Sequence, residues 1–198
     1  MLVGVLLLFA VTFTVQARQK PTSGAKKFQK TLNKQFRNPT ESPLTKEDFR
    51  KFKKHPFFPI SEKYRVKAKF TKSEDPATFQ MKTSTERLST YDKYGVASFE
   101  IDGITYQLNI YQSHTSREKE AYKDYLFLPF TDLTNGEETY GGGRYIDLKI
   151  PEGDEIIIDF NQAYHPYCAY SYRYSCPVPP RENALNVRIE AGVKNLEL

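Results

Sequence analysis

The stretch VASFEIDGITYQLNIYQ, residues 96–112, constrains the fold more than any other part of the chain. Apolar and polar residues alternate on both sides of the dipeptide Asp102-Gly103. Alternation with a period of two places the apolar side chains on one face of a strand. Asp-Gly favours the positive φ angles of a two-residue hairpin turn. The stretch therefore predicts two antiparallel strands joined by a tight turn at residues 102 and 103.

Further stretches repeat this period of two. Residues 64–70, YRVKAKF, alternate strictly, and residues 144–160 contain two apolar runs separated by the turn signal Pro-Glu-Gly-Asp. Residues 184–192, ALNVRIEAG, alternate again. Residues 125–133 are nearly all apolar, and Pro129 among them predicts a sheet edge or a β-bulge. With about eight or nine strands and no helical crossover, the sequence predicts a mainly β fold, either an antiparallel sandwich or a small barrel.

One short helix is predicted before the strands. Thr45 and Asp48 have the spacing of a capping box, acidic residues precede basic ones, and Pro56 follows. These signals predict a helix over about residues 46–54. Residues 42–198 are expected to form a single β-rich domain, because their length suits one hydrophobic core.

The first 41 residues are predicted to lie outside this domain. Residues 1–17, MLVGVLLLFAVTFTVQA, are an apolar run without charged side chains that ends in small residues, which is typical of a signal peptide. The protein is therefore expected to be secreted or periplasmic, and an uncleaved leader that anchors it in a membrane is the alternative. Residues 18–41 are polar, basic and interrupted by proline and glycine, which predicts a linker or a loosely ordered arm.

Charge is distributed unevenly along the chain. Residues 18–54 hold 12 Lys or Arg and 3 Asp or Glu, whereas residues 55–198 hold 17 and 21. The basic segment fits either a solvated arm or an arm that docks on an anionic envelope surface. No nucleic-acid partner is expected, because no recognition motif accompanies the basic residues. No cofactor is expected, because nucleotide-binding and zinc-protease motifs do not occur in the sequence.

Two cysteines, Cys168 and Cys176, fall in the unusual stretch DFNQAYHPYCAYSYRYSCPVPPREN, residues 159–183. In an exported protein, two cysteines favour a disulfide. A reactive thiol with His165 as its base is one alternative. A metal site is another, although only His165 and Glu182 are at hand as further ligands and four are usual.

A glycine triplet at residues 141–143 precedes Arg144. The glycines allow a close backbone approach or positive φ angles. Two interpretations stay open. Arg144 and the glycine amides could hold an anionic group of a ligand, or Arg144 could pair with a buried acid such as Asp159 or Glu190.

The runs LFLPFTDLTNGEETYGGGRYIDL and IDFNQAYHPYCAYSYRYSCPVPPRENALNVRIEAGVK resemble an uncharacterised family known as domain of unknown function 1684, over about residues 44–195. The resemblance implies no known activity. The family usually has Asn in place of His165, which argues against His165 as a shared base or ligand. The resemblance implies that a shared site would use Arg144, Tyr145, Asp159, Asn161, Cys168, Cys176, Glu182, Asn183 and Glu190.

These observations predict one site where residues 141–144 meet residues 159–183, with tyrosines 164, 167 and 170 as flat walls. We expect a non-catalytic binding or envelope-associated module for a small anionic or glycan-like ligand. The alternatives are a hydrolase that uses Asp159 or Glu182 as acid or base, and a thiol or metal site at the two cysteines. The expected ligand-binding residues are Arg144, Tyr145, Asp159, Asn161, Tyr164, Glu182, Asn183 and Glu190.

Overall fold

Seven antiparallel strands form a single sheet in the computed structural model, which describes residues 22–197. The strand order is β6-β5-β4-β3-β1-β7, and β2 pairs with β3. The strands are β1 Arg65–Lys72, β2 Thr78–Lys82, β3 Leu88–Ile101, β4 Ile104–Ser113, β5 Tyr125–Phe130, β6 Arg144–Lys149 and β7 Glu155–Asp159. The helices are α1 Ser23–Phe36, α2 Lys46–Lys51 and α3 His114–Arg117. Short 3-10 turns cover Glu62–Tyr64, Glu120–Tyr122, Phe160–Gln162, Tyr167–Ala169 and Arg181–Asn183.

The sheet curls into a half-barrel, which confirms the predicted mainly β, antiparallel fold with a helix at its N-terminal side. The predicted hairpin is also confirmed. Ile101 of β3 pairs with Ile104 of β4, and both turn residues have positive φ, 53° at Asp102 and 76° at Gly103. Asp and Gly tolerate this backbone better than other residues do, so the local sequence fixes the register of the two longest strands.

Each face of the sheet has its own apolar cluster, because successive strand residues point to opposite sides. One face, which we call the core face, carries the main hydrophobic core, including Leu126, Leu128, Ile146 and Leu148. The opposite face, which we call the tyrosine face, carries a smaller cluster. Its buried members are Met81, Tyr91, Tyr111, Phe127, Tyr145 and Cys176.

The predicted sheet edge at Pro129 is wrong, because β5 lies between β4 and β6. Strands β4 and β5 pair only at Tyr111 and Phe127. Two residues further on, where Pro129 has no N–H to donate, the buried amide of Asn183 joins the strands instead. Its nitrogen donates to the carbonyl oxygens of Asn109 at 2.9 Å and Pro129 at 2.7 Å, and its oxygen accepts from the Asn109 N–H at 2.9 Å.

The prediction of a strand over residues 184–192 is also wrong, although its apolar pattern is real. Leu185 and Ile189 are buried in the main core, as the alternation suggests. However, the carbonyl oxygens of Ile189 and Ala191 accept hydrogen bonds from the guanidinium of Arg144 rather than from a neighbouring strand. The segment therefore crosses the core as irregular chain.

The predicted loose arm over residues 18–41 is largely a helix, since α1 takes up 14 of these residues. Ala25, Leu32 and Phe36 of α1 are buried, and the last two pack with Phe52. Helix α2 confirms the predicted short helix but is three residues shorter, and the Thr45 hydroxyl accepts the Asp48 N–H at 3.1 Å as predicted. The predicted signal peptide, residues 1–17, lies outside the described residues. Over residues 22–197, none of the helices has the length and apolar character needed to span a bilayer.

Candidate functional site

The two segments predicted to meet are in contact. Tyr145, just after the glycine triplet, exchanges backbone hydrogen bonds with Tyr164 at 2.9 and 3.0 Å. The N–H of Tyr140, just before the triplet, donates to Nε2 of His165 at 3.1 Å. Gly143 has a φ of 91°, and a Cβ there would lie 2.7 Å from the carbonyl oxygen of Phe130. The predicted need for glycine is therefore confirmed at this position.

Arg144 does not face a ligand. Its side chain is fully buried and forms an ion pair with Asp132. The guanidinium also donates to the carbonyl oxygens of Ala191 and Ile189 and lies over the ring of Phe130. Burial lowers the pKa of Arg144, while Asp132 opposes that shift. The prediction that Arg144 holds an anionic ligand is wrong, and a buried acid does pair with it, although that acid is Asp132 rather than Asp159 or Glu190.

The alternation of β6 explains why Arg144 and Tyr145 do not share a site. Residues 144, 146 and 148 point to the core face, whereas Tyr145 and Asp147 point to the tyrosine face. Tyr145 is buried, and its hydroxyl donates to the carbonyl oxygen of Pro177. Adjacent residues in a strand were assigned to one site, but their side chains lie on opposite sides of the sheet.

Two other predicted ligand residues have local structural roles. The carboxylate of Asp159 accepts hydrogen bonds from the N–H and the amide of Asn161, at 3.1 and 2.8 Å, and from the amide of Gln162 at 3.0 Å. The amide of Asn161 in turn bonds both backbone groups of Ser61. Both residues are buried, so they hold the turn after β7 against the segment before β1.

The remaining predicted polar residues are dispersed. Asn183 joins β4 to β5, as described above. Glu182 is exposed and accepts from the Tyr111 hydroxyl at 3.3 Å. Glu190 is exposed and lies 3.4 Å from Arg188, which also pairs with Glu138. Of the eight predicted ligand residues, Tyr145 and Tyr164 line one pocket together.

That pocket lies on the tyrosine face, between α1, β6 and the segment that follows β7. It has a volume of about 380 Å³, within the range of small-molecule sites. We call it the tyrosine-face pocket. It is lined by Phe28, Leu32, Gln35, Tyr145, Asp147, Tyr164, Pro166, Tyr167 and Cys176.

Asp147 is the charged group of this pocket. Its Oδ1 accepts hydrogen bonds from the hydroxyls of Tyr125 at 2.8 Å and Tyr164 at 2.6 Å. Burial, reinforced by the charge of Asp147, raises the pKa of both tyrosines. Both hydroxyls therefore stay protonated and act as donors, which orients the carboxylate while its side chain remains exposed.

The predicted disulfide is not present. Cys168 and Cys176 are free thiols that are not at bonding distance. The N–H of Cys168 donates to Sγ of Cys176 at 3.2 Å. Cys176 is buried and borders the pocket, whereas Cys168 is half-buried. The structure thus places two free thiols side by side, and Cys176 borders the tyrosine-face pocket.

The histidines are not placed for catalysis at this pocket. His165 is buried, and burial lowers its pKa to about 3, with a smaller effect from the charge of Arg144. Its neutral ring accepts the Tyr140 N–H through Nε2. His55 is buried among Phe36 of α1, Phe52 and Tyr170.

Sequence reasoning missed Asp147 and the three residues of α1 in the pocket. Two signals could have found them. Asp147 is two residues from Tyr145 in a predicted strand, so the period of two places both on one face. In α1, apolar residues at positions 25, 28, 32 and 36 have the three- and four-residue spacing of an amphipathic helix. Among residues 22–197, no group of three His, Cys, Asp or Glu side chains is placed to hold a metal ion.

Comparisons with known proteins agree with this architecture. None of the curated proteins compared with the chain matches it. The chain is similar to a solved structure, the solution NMR structure of the uncharacterized protein from gene locus rrnAC0354 of Haloarcula marismortui. The two are 34% identical with a TM-score of 0.67, and the match covers 87% of this chain and 92% of the other. The family model described as protein of unknown function DUF1684 matches residues 50–194. The matched region contains all seven strands and the segment with both cysteines. The chain therefore belongs to the DUF1684 family.

Proposed function

We propose that this protein is a non-catalytic binding module whose ligand site is the tyrosine-face pocket. The observation that carries the proposal is the pairing of an oriented carboxylate, Asp147, with aromatic walls from Phe28, Tyr164 and Tyr167. Mostly apolar pockets with a few fixed polar groups are the usual form of small-molecule sites. The carboxylate of Asp159, one of the two acids that the hydrolase alternative would use, is occupied by Asn161 and Gln162.

The charge of the pocket selects among ligand classes. Arg144 is closed off by Asp132, and the ionic group that borders the pocket is the carboxylate of Asp147. An anionic ligand would therefore meet a like charge, whereas a hydroxyl or ammonium group could donate to Asp147. Aromatic faces add attraction for a cation and for a flat apolar surface. We infer that the ligand is glycan-like, a ring with one apolar face and a donor group, rather than an anion.

Three sugars of nearly the same shape test this inference by calorimetric titration of the full chain. Glucosamine carries an ammonium group, glucose is neutral, and glucuronate carries a carboxylate. We expect glucosamine to bind about tenfold more tightly than glucuronate, with glucose between them, because a tenfold change needs only a small electrostatic difference. If glucuronate binds most tightly, or if none of the three binds, the proposal is wrong.

Two variants locate the site. Asp147→Asn should abolish the preference for glucosamine over glucose while weak binding of both persists, because the aromatic walls remain. Tyr164→Ala should remove binding of all three sugars. Glu152→Gln, which makes the same charge change in the exposed turn between β6 and β7, serves as the matched control and should bind like the wild type.

The cellular location of the protein is a separate proposal. We propose that the protein acts outside the cytoplasmic membrane, because residues 1–17 have the pattern of a signal peptide. Expression in a bacterial host followed by fractionation and mass spectrometry of the N-terminus tests this. We expect a periplasmic product that begins at Arg18, and a full-length cytoplasmic product would contradict the proposal.

A further inference from the structure

The cysteine pair is a second chemical feature of the molecule that the binding proposal does not use. Cys168 lies at the 3-10 turn Tyr167–Ala169, and Cys176 lies just before the bridge between Pro177 and Thr83. The N–H of Cys176 donates to the hydroxyl oxygen of Ser84 at 3.0 Å, and the N–H of Cys168 donates to Sγ of Cys176 at 3.2 Å. Backbone contacts on both sides therefore hold the two thiols next to each other.

The neighbours of Cys168 favour its thiolate form. Interaction with the thiol of Cys176, and to a smaller extent with the hydroxyls of Ser84 and Tyr140, lowers the pKa of Cys168 to about 6 against the opposing effect of burial. The same contact raises the pKa of Cys176. A thiolate stabilised by hydrogen bonds and a protonated partner thiol are the two forms that stepwise oxidation requires.

The two cysteines differ in burial, and this difference assigns their roles. Cys168 is half-buried, whereas Cys176 is buried, so Cys168 is the one assigned to meet a small reagent. The residues between them, AYSYRYS, form no strand, and Tyr172 at their centre is 95% exposed. Because the bridge at Pro177 fixes the end of the segment, the movement that brings the sulfurs together has to come from this loop.

We propose that Cys168 and Cys176 form an oxidation site for a hydroperoxide, in which Cys168 is the attacking thiol and Cys176 the resolving thiol. A hydroperoxide is the class of oxidant that fits, because it is small enough to reach a half-buried sulfur. It also leaves as water or an alcohol that a nearby hydroxyl such as that of Tyr140 can protonate.

The chemistry balances in two steps. The thiolate of Cys168 attacks one peroxide oxygen, the O–O bond breaks, and hydrogen peroxide yields a sulfenic acid on Cys168 and hydroxide, which takes up a proton to become water. The thiol of Cys176 then attacks the sulfenic sulfur, and a disulfide and a second water form. In total, two thiols are oxidised, and one peroxide is reduced to two waters.

The first test uses the reduced full chain and hydrogen peroxide. At pH 6 we expect oxidation roughly tenfold faster than that of glutathione, because the larger thiolate fraction of Cys168 outweighs its lower intrinsic nucleophilicity. The product should contain no free thiol and should be lighter by two hydrogens. Two thiols that persist, or a rate equal to that of glutathione, would overturn the proposal.

Two variants separate the roles of the thiols. In Cys176→Ser, the sulfenic acid on Cys168 cannot be resolved and should be captured by dimedone. In Cys168→Ser, the reaction rate should fall to that of glutathione or below. Fast oxidation of Cys168→Ser, or no dimedone adduct on Cys176→Ser, would contradict the assignment, and the wild-type measurement remains decisive if either variant fails to fold.

A third arm identifies the oxidant. The same protein is treated with oxidised glutathione, a larger disulfide that would react by exchange instead. We expect this reaction to be much slower than the reaction with peroxide, because the mixed disulfide must fit at a half-buried sulfur. If oxidised glutathione reacts faster than peroxide, the site is a thiol–disulfide exchange site and the hydroperoxide proposal is wrong.

Discussion

The two faces of strand β6 place their charged side chains in opposite environments. On the core face, Arg144 is fully buried, and its guanidinium is held by Asp132 and two carbonyl oxygens. On the tyrosine face, Asp147 is exposed and is held by two tyrosine hydroxyls through one oxygen. The charge of Arg144 is paired inside the protein, whereas the carboxylate of Asp147 is held in place at the edge of a pocket.

The difference shows which kind of charged side chain can still bind a ligand. A buried ion pair has already exchanged its water for protein partners, so a ligand gains little by competing for it. A carboxylate that is positioned by donors but still exposed retains an oxygen for a further partner. Arg144 stood out in the sequence because of the glycines before it, yet Gly143 allows the close approach of the chain to β5 and to the proline segment at 177–180.

The largest loss of stability should come from Asp132→Asn on the core face. It leaves the charge of Arg144 buried without a counter-ion, which costs about 3–5 kcal/mol in the free energy of unfolding. Urea denaturation monitored by circular dichroism measures the loss. The matched control is Glu137→Gln, which removes one exposed partner of Arg188 and should cost much less, because exposed ion pairs contribute little to stability.

A double variant sharpens this prediction. Asp132→Leu combined with Arg144→Met removes both charges, and it should lose less stability than Asp132→Asn alone, because no unpaired charge remains. Some loss should persist, since the carbonyl oxygens of Ile189 and Ala191 lose their donors. If the double variant is as unstable as the single one, the loss in Asp132→Asn does not come from an unpaired charge on Arg144.

Lowering the pH should destabilise the protein through His165, which is buried and whose pKa is also lowered by the charge of Arg144. Its pKa is about 3 in the folded protein and about 6.5 when unfolded, so the unfolded chain binds the extra proton. The stability that depends on neutral His165 is therefore complete above pH 6.5 and falls as pH decreases towards 3, by at most about 1.4 kcal/mol per pH unit.

The variant His165→Asn tests that slope. Its amide oxygen can still accept the Tyr140 N–H, but it does not titrate. Between pH 6 and pH 4, urea midpoints of the variant should depend on pH less steeply than those of the wild type. Part of the remaining slope should come from His55, whose pKa burial also lowers to about 3, and an unchanged slope in His165→Asn would contradict the prediction.

The fold could be predicted from the sequence where local signals decide the structure. The Asp102-Gly103 turn and the alternating runs beside it gave the long hairpin, and Thr45 gave the start of α2. Predictions failed where a distant group replaced a neighbouring strand. Pro129 lies inside the sheet because Asn183, 54 residues away, supplies the missing hydrogen bonds, and no local pattern indicates such a partner.

The site was predicted less well, for the same physical reason. Residues 144–145 and 159–164 do come together, as composition suggested, but the side that each residue faces was not considered. Tyr145 and Tyr164 line the pocket, whereas Arg144, Asp159 and Asn161 have structural roles. Helix α1 was missed because its mean character is polar and basic, and only its apolar spacing shows that it covers the tyrosine face.

A smaller effect is expected from Tyr145→Phe on the tyrosine face. The variant keeps the ring in the apolar cluster but removes the hydroxyl that donates to the carbonyl oxygen of Pro177. We expect a loss of about 1 kcal/mol, typical of one hydrogen bond. The urea midpoint should fall without a change in the slope of the transition. Tyr122→Phe, at an exposed ring, is the control that should show no change.

The smallest effect should come from Asp147→Asn, which is chemically the same substitution as Asp132→Asn. The amide oxygen can still accept from Tyr125 and Tyr164, the side chain is exposed, and no buried charge loses its partner. Its stability should therefore stay within about 0.5 kcal/mol of the wild type. Removing the charge should also lower the pKa of Tyr125, although burial, the larger cause, keeps that pKa above the ordinary value. If Asp147→Asn destabilises the protein as much as Asp132→Asn does, Asp147 is a structural group like Arg144, and the tyrosine face has no carboxylate free for a ligand.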